Sequence, residues 1–154
     1  MLLLLSGAAL ARSVSLLPPW VRAFGWDIEN ISSQQARVAL WLSEHSGPGC
    51  HVATHDVGAI GVLSGCRVTD LIGRMTPAMA RLYQEYPRPA DRDPRIRSLL
   101  VETGVTHVAI YPDWFPSLAG DPALQPVFSA SLHHETVAGS RHMTVYTTPG
   151  EAPW

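Results

Sequence analysis

Asp56 and Asp70 are the residues whose types and spacing come nearest to a chemical site. Each closes a short apolar run, CHVATHD and RVTD, and each is followed by small residues that permit a turn. If the two runs are parallel strands, both carboxylates reach the carboxyl edge of one sheet, where open α/β sheets form ligand crevices. His55, Arg74, Asp113 and Trp114 fall at the same edge. Carboxylates beside an imidazole and a guanidinium are the material of a general acid–base site. The structural reading of the same residues, which we favour, has Asp56 capping a short helix and Asp70 binding turn amides or an arginine.

Other chemistry is poorly supplied. Gly58, Gly61 and Gly65 are spaced G-x-x-G-x-x-x-G, not the G-x-G-x-x-G of a dinucleotide turn. Asp70 also follows too closely for the ribose-binding acid, which stands about twenty residues on. There are seven histidines. His51 and His55 would share a helix face, but on a strand such positions lie about 13 Å apart and cannot chelate one ion. His133, His134 and His142 flank the last loop and would need outside ligands. No metal and no cofactor is expected. Ser64 lacks the G-x-S-x-G frame of a nucleophile elbow. All 11 basic residues are arginine, so no lysine is present for a Schiff base or a phosphate loop. The formal net charge of -2 offers nothing to nucleic acid. The loop YPDWFPSL carries Tyr111, Trp114 and Phe115, a lip for lipid or sugar or a lid over the core.

The elements that position these residues are read from pattern. Ser32 with Gln35 forms a capping box for a helix over 32–46, ended by Gly47, Pro48 and Gly49. Strands are expected near 51–56, 67–72 and 106–111, with an edge hairpin near 126–132 and 142–147. AIGVLS must form a very short helix if the first two strands are parallel; an antiparallel hairpin is the alternative. Thr76-Pro77 starts one helix, PRPADRD reads as a polar loop, and Asp93-Pro94 starts another that ends at Gly104. The fold class expected is α/β: a small Rossmann-like sandwich with three central parallel strands plus a C-terminal edge hairpin, preceded by an N-terminal apolar segment.

A chain of 154 residues accommodates one domain and an appendage. The divisions expected are an apolar, interfacial segment at 1–26, an α/β domain at 27–150 and a tail at 151–154. MLLLLSGAALA is shorter than the roughly 20 apolar residues of a helical span. It reads as a secretory signal, a core helix, or the end of a membrane span that begins outside this chain. Trp20 and Trp26 just beyond it suit the water–lipid boundary and favour the third. Cys50 and Cys66 each precede a strand; neighbouring strands in register would bring them to disulfide distance, and two buried thiols are the alternative.

Several motifs in one order resemble a known family. Trp41-Leu42 ends a helix; Asp56, Gly58, Ile60 and Gly61 come after the first strand; Asp70, Leu71, Gly73 and Pro77 come after the second. With YPDWFPSL and SRHMTVY, they make residues 37–147 similar to the extracytoplasmic C-terminal domain of bacterial GT-C-type membrane glycosyltransferases. These are relatives of the dolichyl-phosphate-mannose and aminoarabinose transferases. Val62 and Arg74 depart from the aromatic and leucine common there. The resemblance implies a domain on the extracytoplasmic side of a membrane. Its partners would be membrane lipid or a membrane-embedded transferase portion, with a lipid-linked sugar or its acceptor as ligand. It places the catalytic acid in a part absent from this chain, so neither Asp56 nor Asp70 is carried over as catalytic. The expected function is a non-catalytic domain of an enzyme that transfers sugar from a polyprenyl-phosphate donor. The alternative is a small secreted hydrolase or ligand-binding module using the Asp56/Asp70 edge.

Overall fold

The computed structural model describes residues 2–148, so the tail expected at 151–154 lies outside the described residues. A helix α1 (Leu2–Asn30) passes through a π-helical segment (Ile31–Ala36) into α2 (Arg37–His45). Then come β1 (His51–Thr54), α3 (Val57–Leu63), β2 (Arg67–Asp70), α4 (Pro77–Glu85), α5 (Pro89–Glu102), β3 (His107–Ile110), α6 (Pro116–Ala119), β4 (Gln125–Ser131) and β5 (His142–Thr147).

The five strands form one mixed sheet in the order β2-β1-β3-β5-β4. β1 pairs parallel with both β2 and β3, while β5 pairs antiparallel with β3 and β4. The parallel β1–β2 connection is made by α3, the very short helix that parallel pairing demands. Alternate residues of the central strands feed opposite cores. Val52 and Ala109 pack with Val38, Leu42 and Ile60, whereas Ala53, Val108 and Ile110 pack with Met79, Ile96 and Leu100. Helices therefore cover both faces, and the inner strands are fully buried as parallel strands require.

Two helix starts differ from the sequence expectation, and one expected cap makes a different bond. Ser32 starts nothing, because the helix is continuous through it. The local capping box loses to tertiary hydrogen bonds made by Asn30, Gln34 and Gln35. The division expected at residue 26 thus falls inside a helix. Pro18 and Pro19 lie within α1 without ending it; their missing N–H groups free carbonyls on an exposed stretch, where water can solvate them. Second, α5 begins at Pro89, not Asp93. Pro89 takes the first-turn position that proline favours, and Arg88 pairs with Asp91 at 2.8 Å, so the PRPADRD loop is largely helix. Asp93 instead accepts a hydrogen bond from Ser117 Oγ at 2.6 Å. Third, Thr76 precedes α4 as expected, but its hydroxyl does not cap; it accepts from the Asp70 N–H at 2.9 Å.

The end of α5 matches its signal. Gly104 has φ +70 and donates to Val101 O, while Val105 N donates to Leu100 O, the paired bonds of a Schellman cap. Cys50 and Cys66 are bonded, with Cα atoms 4.8 Å apart. The register His51↔Arg67 places the preceding residues opposite each other, which removes the free-thiol alternative.

α1 contributes little to either core. Leu10, Val14, Leu17, Val21, Phe24 and Ile28 alternate spacings of four and three and so share one face. Their exposures run from 50% to 67%. No helix among the described residues is long and apolar enough to cross a membrane.

Candidate functional site

The parallel pairing of β1 with β3 brings the residues just beyond each strand side by side at the carboxyl edge of the sheet. After β1 comes His55; after β3 comes Tyr111. The His55 ring lies 4.2 Å from that of Tyr111, 5.3 Å from Trp114 and 5.6 Å from Phe115, all tilted. His55 is 6% exposed, and neither ring nitrogen has a hydrogen-bond partner among the described residues. Burial lowers its pKa to about 4, against the opposing pull of the Asp56 and Asp70 carboxylates. The imidazole is therefore neutral at pH 7, with one N–H to donate and one lone pair to accept.

A second unengaged group comes from the π-helical segment. Adjacent residues Gln34 and Gln35 are both buried there, an arrangement that a regular amphipathic helix does not favour. Gln35 Nε2 donates to the Tyr111 hydroxyl at 2.9 Å, which donates to Gln34 Oε1 at 3.1 Å. Gln34 Nε2 donates to the carbonyls of Ser140 and Arg141, both at 3.0 Å. Asn30 extends the clamp, donating to His134 O and accepting from Thr136 N. Within this clamp Gln35 Oε1 lacks a partner among the described residues, and Gln35 is 1% exposed. Burial also pushes the Tyr111 phenol up from its ordinary value.

His55 and Gln35 line the same cleft of about 340 Å³, together with Asp56, Arg74, Tyr111 and Trp114. Trp114 stands edge-on to Tyr111 at 5.3 Å and rests against Gly139. A Cβ at residue 139 would lie 2.3 Å from Trp114 Cζ2, so a glycine is required for the indole to sit where it does. Trp114 also lines a neighbouring cleft of about 330 Å³.

Of the residues marked by sequence, His55, Asp56, Arg74 and Trp114 meet on one cleft. Asp70 does not. It is 1% exposed, with Oδ1 accepting from Ile72 N at 2.9 Å and Oδ2 from Met75 N at 2.7 Å. This is the turn-amide role, and it holds the β2–α4 turn whose Gly73 (φ +85) lies against the Ala80 backbone. Asp56 occupies the cap position of α3, but its side chain makes no capping bond, so the helix-cap role expected for it is not filled. Asp113 lines the neighbouring cleft and accepts from Ser140 Oγ at 2.7 Å, which holds its carboxyl below the usual range. His51 is structural: its ring nitrogens contact Thr103 O at 3.1 Å and Thr69 Oγ1 at 2.8 Å.

The pattern of the sequence marks Gln35 only as a capping residue and does not mark Gln34 or Gly139. One signal for the glutamines was present: an adjacent amide pair where a helix approaching a core would carry an apolar residue. The lining residues of the His55 cleft include no serine, cysteine, threonine or lysine to serve as nucleophile. They supply instead unengaged donors and acceptors, opposite charges on Asp56 and Arg74, and an aromatic wall. That is the chemistry of a receptacle.

A family model described as a domain of unknown function (DUF8728) matches residues 29–146. No curated protein and no solved structure matches the chain.

Proposed function

We propose that this chain, which belongs to the DUF8728 family, is a non-catalytic extracytoplasmic domain held at a membrane by α1, and that its strand-end cleft receives a ligand there. The observation that carries this reading is the bonding state of the cleft. Two buried groups, His55 and Gln35 Oε1, keep hydrogen-bonding capacity for a visitor, while the lining holds no serine, cysteine, threonine or lysine. Each such group left unsatisfied costs about 1–3 kcal/mol. A ligand that engages them recovers that cost.

The rest of the reading has separate supports. The exposed face Leu10–Val14–Leu17–Val21–Phe24–Ile28 suits lipid or a membrane-embedded partner. The Cys50–Cys66 bond suits an oxidising compartment, hence the extracytoplasmic side. The sheet with helices on both faces is read as a Rossmann-like sandwich, preceded by the apolar segment. The likeness of residues 37–147 to the C-terminal domain of GT-C-type glycosyltransferases supports a ligand from polyprenyl-phosphate sugar transfer, either the lipid-linked sugar or its acceptor. The reacting groups would belong to a membrane-embedded transferase portion.

Flotation of the full chain with phospholipid vesicles tests the membrane half. The wild type should float, and Leu17→Asp with Val21→Asp should lower the bound fraction roughly tenfold. Equal flotation of both proteins would remove α1 as the anchor. Turnover of a polyprenyl-phosphate sugar by the purified chain would remove the non-catalytic assignment.

A further inference from the structure

We infer that the neighbouring cleft, which shares Trp114 with the His55 cleft, is a binding site for an organic ammonium ion. It lies between α4, α5 and the β3–α6 loop. Tyr83, Trp114 and Phe115 line it together with Ile96 and Leu118; Arg92 already covers a face of Tyr83, so the rings offered to a ligand are Trp114 and Phe115. Aromatic faces attract cations through the ring quadrupole, most strongly where water is partly excluded. Trp114 is 51% exposed, so its ring is open to an incoming group.

The charges of the wall point the same way. Arg92 is the cleft's cation, and it is built into the wall, although its buried Nε has no hydrogen-bond partner among the described residues. Its guanidinium carbon sits 4.2 Å above the Tyr83 ring, and its Nε lies 3.7 Å from Asp93 Oδ1. Asp93 is further fixed by Ser117. Arg92 and Asp93 thus balance each other within the wall. Asp113 is left over. Its partner is the neutral Ser140 hydroxyl, which orients the carboxylate without cancelling its charge. The cleft therefore combines aromatic faces, apolar side chains and a carboxylate with no ion-pair partner among the described residues, His142 acting on it only at longer range. An alkylammonium or quaternary ammonium group complements all three, whereas an anion is repelled by Asp113 and a neutral donor gains a hydrogen bond from it without the charge attraction. Arg95 stacked on Tyr86 at 3.9 Å shows the same pairing on the adjoining surface.

The site shares the Trp114 indole with the His55 cleft, and Phe115 also touches His55, so the test leaves Trp114 intact. Tetramethylammonium and its neutral counterpart tert-butanol are titrated calorimetrically into the full-length protein. Tetramethylammonium should bind saturably and roughly tenfold more tightly than tert-butanol. Asp113→Asn keeps an acceptor for Ser140 and should weaken ammonium binding several-fold with unchanged thermal unfolding. Phe115→Leu should weaken it as well, and Gln35→Leu, in the other cleft, should leave it unchanged. Equal binding of the two probes, no saturable binding, or indifference to Asp113→Asn would each overturn the assignment.

Discussion

Asp70 ends β2 and His55 comes directly after β1, its parallel neighbour; both are buried, and their bonding states are opposite. Asp70 has both carboxylate oxygens filled by backbone amides of its own turn. His55, one strand over, has neither ring nitrogen filled. Burial therefore does not separate frame from site in this domain; unengaged hydrogen-bonding capacity does. Asp70 satisfies the chain, and His55 has no partner within the described residues, which is why we propose a ligand for it.

The largest test of that contrast is Asp70→Ala. It removes two charge-assisted acceptors and leaves the Ile72 and Met75 amides unpaired in a part-buried turn, at about 3–4 kcal/mol. Urea denaturation should show this loss directly. Asp70→Asn retains one acceptor oxygen and should lose about half as much. If Asp70→Asn instead left stability untouched while abolishing an activity, Asp70 would be a reacting group and the hydrolase alternative would return.

The second test uses pH. An unfolded histidine titrates near 6.5 and the buried His55 near 4. Between those values the unfolded chain binds the extra proton, so stability falls as pH is lowered through the window. At 1.36 kcal/mol per unit, the loss attributable to His55 is about 2 kcal/mol on going from pH 7 to pH 5. His51 and His107 are also lowered by burial and contribute in the same direction. The difference between wild type and His55→Phe isolates the His55 part. Parallel stability–pH curves for the two proteins would show that His55 titrates normally, and hence that it is not buried in the neutral form.

The frame was more legible in the sequence than the site, for a physical reason. Strands are encoded locally as apolar runs too short for helices, and the acids at their ends with helical segments after them favoured parallel order, although the compact first connection left a hairpin open. The turn role of Asp70 was equally local, since its partners lie two and five residues away. The receptacle is not local. Gln35 reaches Tyr111 across 76 positions and Gln34 reaches Ser140 across 106. Their inward orientation depends on a π-helical segment that no periodicity announces. Gly139 matters only because Trp114, far away in sequence, lies on it. The false helix starts at Ser32 and Asp93 share this origin: a good local cap was present, and a distant partner took the side chain or an earlier proline took the start.

The smallest expected effect is also the most discriminating. His55→Phe at pH 7 replaces a ring with two unsatisfied nitrogens by an apolar ring among Tyr111, Trp114 and Phe115. A residue that holds the frame is destabilised by such a change. A residue held ready for a ligand is relieved, because the unmet polar atoms are removed while the aromatic packing survives. The change in stability should therefore be near zero or favourable by up to about 1 kcal/mol. Binding of any ligand to the His55 cleft should fall at the same time, as should binding by Gln35→Leu. A loss of about 2 kcal/mol or more in His55→Phe would mean that the imidazole is engaged in the folded protein, placing it with Asp70 as frame.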